Sequence, residues 1–242
     1  MKRSTTWITV ALLAIAMAVP TANAEDAAKP SQEDKQMTLG VLLYPNFELL
    51  DVFGPVEMFG NVGKELKIVM VAEEAGEVKS YQGPKAVADV GFDDCPHLDI
   101  LLVPGGFGTL PLLNNKKTLD WIKDRSAKAD ITTSVCSGSA LLAKAGVLDN
   151  KKATSNKVYF NLATSQSAEV DWVEAARWVE DGNVVTSSGV SAGIDMSLAV
   201  IARLWGEDRA EQIAIATEYE WHRDSTVDPF VKYLNQAPSL PN

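Results

Sequence analysis

Residues 130–146, DITTSVCSGSALLAKAG, join a β-branched run to a helix-forming run through a single cysteine. Ile131 to Val135 reads as a strand, Ala140 to Ala145 as a helix, and Cys136 stands on the corner between them. A residue on such a corner can bury its side chain in neither element. The small neighbours Ser134, Ser137, Gly138 and Ser139 let the backbone turn sharply around it. Cys136 is therefore expected at a nucleophile elbow, with an accessible sulfur aimed at a helix N-terminus. Unpaired N–H groups there favour negative charge, so the thiol is expected to have a lowered pKa and a raised thiolate fraction.

The segments on either side repeat a strand-then-helix alternation. MTLGVLLY (37–44), LKIVMVAE (66–73) and DILLV (99–103) are continuous apolar runs, as expected of strands buried on both faces. FELLDVFGPVEMFG (47–60), residues 118–127, 192–205 and 209–219 have helical spacing. In the first of these Asp51 can cap the helix and Gly54-Pro55 can stand in its first turn. Residues 78–90 around Gln82-Gly83-Pro84, and residues 176–187 around Asp181-Gly182, read as hairpins. Lys152 to Ser155 and Val158 to Ala163 are a short strand and a short helix, and the tail from Glu220 is expected over the surface. The alternation predicts an α/β fold with a mostly parallel sheet and helices on both faces. In such sheets ligands bind at the carboxyl ends of strands. Tyr44 to Asp51, Pro104 to Gly106 and Cys136 all fall there.

Residues 1–24 have the pattern of a signal peptide: Lys2 and Arg3, an apolar core from Trp7 to Val19, and Ala22-Asn23-Ala24 as the cleavage site. The core is shorter than the ~20 residues that span a bilayer. A periplasmic or secreted protein with no membrane anchor after cleavage is expected. Residues 25–36 form a polar lead-in, and 37–242 a single domain. The net charge of -10 excludes a general affinity for nucleic acid or anionic lipid. Cys95 and Cys136 fall at opposite ends of neighbouring strands, too far apart for a disulfide. No spacing resembles a metal site, and the phosphate-loop and dinucleotide fingerprints are absent, so no cofactor is expected.

A thiolate enzyme needs a proton handler and donors for a developing anion. Asp51 is the candidate for the first role, or a plain helix cap. Glu57, the rival carboxylate, is expected on the far side of the helix. Gly105-Gly106 offers backbone N–H groups to a ligand, or is simply a glycine turn. With the Ser137 N–H these could form an oxyanion hole, and the Ser137 hydroxyl either donates to the sulfur or satisfies the helix start. His97 lies at the wrong end of the sheet, and His222 suits a surface or interface role.

The strings LDVFGPVE (50–57), VPGG (103–106), SVCSGS (134–139) and GVSAGID (189–195) together resemble the ThiJ/PfpI superfamily, which is class I glutamine amidotransferase-like. The resemblance covers Met37 to about Phe230 and is nearest the isonitrile hydratase group. It implies a flavodoxin-like three-layer sandwich, a homodimer and a small-molecule substrate. It further implies a Cys136 thiolate that adds to an isonitrile carbon, with Asp51 as general acid/base and the Gly106 and Ser137 amides steadying the intermediate. Asn156, Ser188 and Gly189 are placed in the substrate pocket. Ser137 stands where protease-like members carry His, which disfavours peptidase chemistry. Asn156 stands where many relatives carry another His, which disfavours glyoxalase-type carbonyl chemistry. A redox-responsive protein with an oxidisable Cys136 is the alternative from another class.

Overall fold

The computed structural model describes residues 36–237, so residues 1–24, expected as a signal peptide, and residues 25–35 of the lead-in lie outside it. Its elements in chain order are β1 (Met37–Leu42), α1 (Leu49–Gly60), β2 (Leu66–Ala72), β3 (Gly76–Lys79), β4 (Lys85–Ala88), β5 (Val90–Gly91), β6 (Ile100–Val103), α2 (Thr109–Leu112), α3 (Lys116–Lys128), β7 (Ile131–Ser134), α4 (Gly138–Lys144), β8 (Lys152–Ala153), α5 (Phe160–Thr164), β9 (Asp171–Trp172), β10 (Trp178–Asp181), β11 (Val184–Ser187), α6 (Ala192–Trp205) and α7 (Glu207–Ala216).

Seven strands form one sheet in the order β10-β11-β7-β6-β1-β2-β5, parallel throughout except for the β10–β11 hairpin. The run β2-β1-β6-β7-β11 has the flavodoxin-like order, in which the chain goes from β1 to one side and then the other. The continuous apolar runs are explained by this placement. Leu39, Val41 and Leu42 of β1 and all four residues of β6 are fully buried, because helices cover both faces. One helical group is α1, α6 and α7, and the other is α2 to α5. Among the described residues no helix is long and apolar enough to cross a membrane.

The parallel register brings four loops to one edge. Val103 pairs with Ser134 and Thr186 with Ser134, so the segments after β6, β7 and β11 emerge together beside the one after β1. The β3–β4 hairpin folds back on the same edge: Ser80 bridges Phe47, and the Tyr81 amide donates to the Phe47 carbonyl at 2.9 Å.

Two local expectations change and a third gains a detail. Asp51 does not cap α1. The cap position is Glu48, without a side-chain cap bond, and Asp51 lies within the first turn with its carboxyl buried. Pro55 lies in the interior of α1 and not in its first turn. Among the described residues the tail does run along the surface, but it is pinned by Asp228, which is buried against Lys157.

Candidate functional site

Cys136 follows β7 directly and has φ 57°, the left-handed conformation that a non-glycine residue adopts only when its surroundings hold it there. The surroundings do so. Its amide donates to the Ser188 carbonyl at 3.0 Å, and its own carbonyl accepts from the Ser139 and Ser155 hydroxyls, each at 3.1 Å. The backbone is that of the expected elbow, but the expected accessible sulfur is not found: the side chain is buried and meets only the cavity above it. Cys136 and Cys95 are both free, and both are buried.

Asp51 enters from α1. Its Oδ2 accepts from the Gly105 amide at 2.8 Å, while its buried Oδ1 has no hydrogen-bond partner among the described residues. The Cys136 thiol lies near enough to draw the Asp51 pKa down slightly, yet no hydrogen bond of ordinary geometry closes between them. Burial dominates both groups. It holds the Asp51 carboxyl well above the usual carboxylate range, with the Glu48 charge adding to the effect. It also lifts the Cys136 thiol far above its ordinary value, with the Asp51 charge adding again. The low-pKa thiol expected from the helix N-terminus is thereby overturned. The amides of Ser137 and Val190 and the Asn156 side chain do face the sulfur and favour the thiolate, but they are outweighed by desolvation. Burial thus favours the protonated form of each group, and the charge of Asp51 opposes ionisation of the thiol beside it.

The Gly105 amide, expected to face a ligand, is taken by Asp51 and is not free for an oxyanion. Gly105 is also sterically required: a Cβ there would lie 2.6 Å from the Ser137 amide nitrogen and 2.9 Å from Asp51 Oδ2. Gly106, at φ 129°, donates its amide to Ser137 Oγ at 3.1 Å.

The direction of the hydroxyl chain behind Ser137 follows by elimination. Tyr44 has one proton, and gives it to the Pro104 carbonyl at 2.6 Å. Thr109 then donates in the 3.1 Å contact to Tyr44, and Ser137, whose other acceptor is the Gly106 carbonyl at 3.5 Å, donates in the shorter 3.1 Å contact to Thr109. The Ser137 oxygen is left as an acceptor, which is why it can take the Gly106 amide. It is not the donor to the sulfur considered from sequence, and although Ser137 stands at the N-cap position of α4, its side chain makes no cap bond.

Asn156 reaches the sulfur itself, its Nδ2 donating to Sγ at 3.2 Å. Ser188 and Gly189 do not line the cavity above Cys136. Ser188 supports the elbow through its carbonyl, and Gly189 lies against the Asn156 amide, along a neighbouring depression.

That cavity has a volume of about 400 Å³. Cys136, Ser137 and Asn156 form its floor, and Phe107, Tyr81, Tyr159, Leu110, Leu162, Val190 and Glu48 rise around them. Sequence reasoning missed these walls. Tyr81 and Gln82 come from a hairpin whose only visible signal was its turn, and Phe107 follows the glycine pair directly. Glu57 is exposed and bonded to Asn61. His97 faces Asp99 before β6, and His222 is exposed in the tail, with its backbone amide on Asp195.

Residues 37–203 match the DJ-1/PfpI family. The chain is 36% identical over 183 residues to an isonitrile hydratase of Pseudomonas putida, covering 76% of this chain and 78% of that protein. It is similar to the crystal structure of a ThiJ/PfpI family protein from Pseudomonas syringae at 35% identity and TM-score 0.69, covering 83% and 84% of the two chains. Drosophila melanogaster DJ-1beta has the same fold at TM-score 0.68 and 19% identity, matched over 77% of this chain and all of that one.

Proposed function

The chain belongs to the DJ-1/PfpI family, and from that premise we propose that it is a cysteine-dependent hydratase of isonitrile type, which turns an isonitrile and water into an N-substituted formamide. The observation that carries this reading is the Cys136 sulfur at the floor of a mostly apolar cavity, beside a buried carboxyl oxygen of Asp51 that, among the described residues, no other group engages.

An isonitrile carbon must gain a proton on the same atom that the nucleophile attacks, so a thiol and a carboxylate sharing one proton suit it. Asp51 takes the Cys136 proton as the C–S bond forms and returns it to that carbon, giving a thioimidate. No standing thiolate is required, which fits the raised thiol pKa. Water then adds across the C=N bond with Asp51 as base, and the nitrogen takes up the proton. Collapse of the tetrahedral adduct breaks the C–S bond, returns the hydroxyl proton to sulfur through Asp51 and releases the formamide. The amides of Ser137 and Val190, with Asn156 Nδ2, stabilise negative charge on the departing sulfur.

One observation favours a second reading. A protonated Asp51 with a free Oδ1 would also hold a Cys136 sulfinate by hydrogen bonding. Glyoxalase-type chemistry has less support, because Asn156 supplies no titratable proton on its side of the cavity. The test is incubation with an alkyl isonitrile, with formamide followed by NMR in wild type, Cys136→Ser and Asp51→Asn. Formamide lost in both variants supports the hydratase. If wild type forms none and peroxide adds two oxygens to Cys136, the redox reading replaces it.

The proposal includes an exported homodimer. The signal-peptide pattern of residues 1–24 supports export, and Leu50 and Phe53, exposed three residues apart on α1, offer apolar surface to a second copy.

A further inference from the structure

We propose that the mouth of the Cys136 cavity is a receptor for an organic ammonium group, formed by the Glu48 carboxylate and the rings of Tyr81, Phe107 and Tyr159, so that the substrate is a cation at the end away from its reacting carbon. This deepens the hydratase reading and rests on it for the reacting group alone.

The charge pattern comes first. Among the described residues no Lys, Arg or His lines the cavity, whereas Glu48 forms part of its wall and Asp51 lies beneath its floor. A carboxylate or phosphate on the ligand would meet negative charge with no compensating partner. Glu48 Oε1 accepts from Gln82 Nε2, and Gln82 Oε1 accepts from the Leu49 amide at 3.1 Å, which holds the carboxylate in place and leaves Oε2 free of that bond. Burial raises the Glu48 pKa and the Gln82 bond lowers it. A half-buried carboxylate of this kind gains from a counter-cation.

The aromatic rings supply the rest. Phe107 lies between two tyrosines, its centroid 4.6 Å from that of Tyr81 and 6.0 Å from that of Tyr159, the second pair edge to face. All three rings line the cavity and remain exposed there. Aromatic faces beside a carboxylate attract a cation whose charge is spread over alkyl groups, since such a cation loses little hydration on contact.

Two measurements test this. The first compares kcat/KM for propyl isonitriles that end in trimethylammonium, tert-butyl or carboxylate. The cation should exceed its neutral isostere by roughly tenfold, the combined worth of an exposed cation–π contact and an exposed ion pair, and the carboxylate should be the poorest. Glu48→Gln, which keeps an acceptor for Gln82, and Phe107→Leu should each shrink the preference. The second measurement does not depend on turnover: benzyltrimethylammonium should slow alkylation of Cys136 by iodoacetamide, and less so in Glu48→Gln. Equal kcat/KM for the cation and its isostere, or protection unchanged in Glu48→Gln, overturns the receptor. Protection that depends on Glu48 without formamide from any isonitrile leaves the receptor standing and removes the hydratase.

Discussion

Asn156 and Cys136 are joined by a hydrogen bond of fixed direction. Asn156 Oδ1 already accepts from the amides of Val158 and Tyr159, at 2.9 and 3.1 Å, so the side chain cannot flip and Nδ2 must face the sulfur at 3.2 Å. A donor at that position favours the thiolate and partly offsets the burial that raises the thiol pKa. Asn156→Ala should therefore move the alkylation pH profile of Cys136 further upward. It should lower kcat by about tenfold to a hundredfold, as for a lost hydrogen bond to a charged group. A fall in kcat with the alkylation profile unmoved would mean that Asn156 acts only by packing.

Asp51 sets activity against stability. Its folded-state pKa is raised by burial, so the native protein holds that proton to higher pH than the unfolded chain does. The associated stability is fully present below the unfolded carboxylate pKa and is lost as pH rises through the folded value. At neutral pH keeping this carboxyl buried is thus a cost, since the unfolded chain ionises it freely. Asp51→Asn removes it and keeps an acceptor for the Gly105 amide. The variant should melt at higher temperature than wild type near pH 7, with the difference closing below pH ~4, while turnover falls by about 10²–10⁴. A variant less stable than wild type at neutral pH would show that the ionised carboxylate is a net stabiliser.

Tyr44 sits a full relay away from the sulfur, yet its hydroxyl decides which way Ser137 points. Tyr44→Phe leaves the Pro104 carbonyl and the Thr109 hydroxyl without this partner in a buried site. The cost should be about 1–3 kcal/mol in urea denaturation. Freed from its imposed direction, Thr109 can donate to Ser137, whose own proton then turns toward the Gly106 carbonyl, 3.5 Å away. The expected result is a lower kcat at nearly unchanged KM. A change confined to KM would place Tyr44 among the groups that merely shape the cavity.

Cys136, Asp51 and the glycine pair were legible because each follows a buried apolar strand, and in a parallel sheet those ends converge whatever the loops contain. The strand and helix order was legible for the same reason: β1, β2 and β6 are continuous apolar runs that only a doubly covered sheet can bury. The low thiol pKa was misread because the helix N-terminus is a local signal, whereas desolvation and the Asp51 charge arise only once distant segments close over the site. Tyr81, Phe107 and Tyr159 carry no periodic signal. Three exposed aromatics in three loops become one wall only through the β3–β4 hairpin folding back on Phe47. Lys157 was equally hidden, since a lysine after a short strand gives no sign that it will be fully buried.

Lys157 carries the last prediction. Its Nζ donates to Thr154 Oγ1 and the Ala176 carbonyl, each at 2.7 Å, and lies 3.6 Å from Asp228 Oδ2. Its carbonyl accepts the Asn235 amide at 2.8 Å, so the tail is tied to the residue beside Asn156. Burial lowers the ammonium pKa to about 8 despite the attraction of Asp228. The unfolded lysine titrates near ~10.4. Between these values the unfolded chain binds more protons than the native one, so the Lys157 contribution to stability grows as pH rises through the window and is lost as pH falls through about 8. The wild-type urea midpoint, compared with that of Lys157→Met, should therefore gain from pH 8 toward pH 10. Lys157→Met alone strands Asp228 and should cost about 3–5 kcal/mol at neutral pH. The double variant Lys157→Met/Asp228→Leu should recover most of that loss. If the single and double variants are equally unstable, the two side chains are not a coupled pair, and the tail is held by its backbone bonds instead.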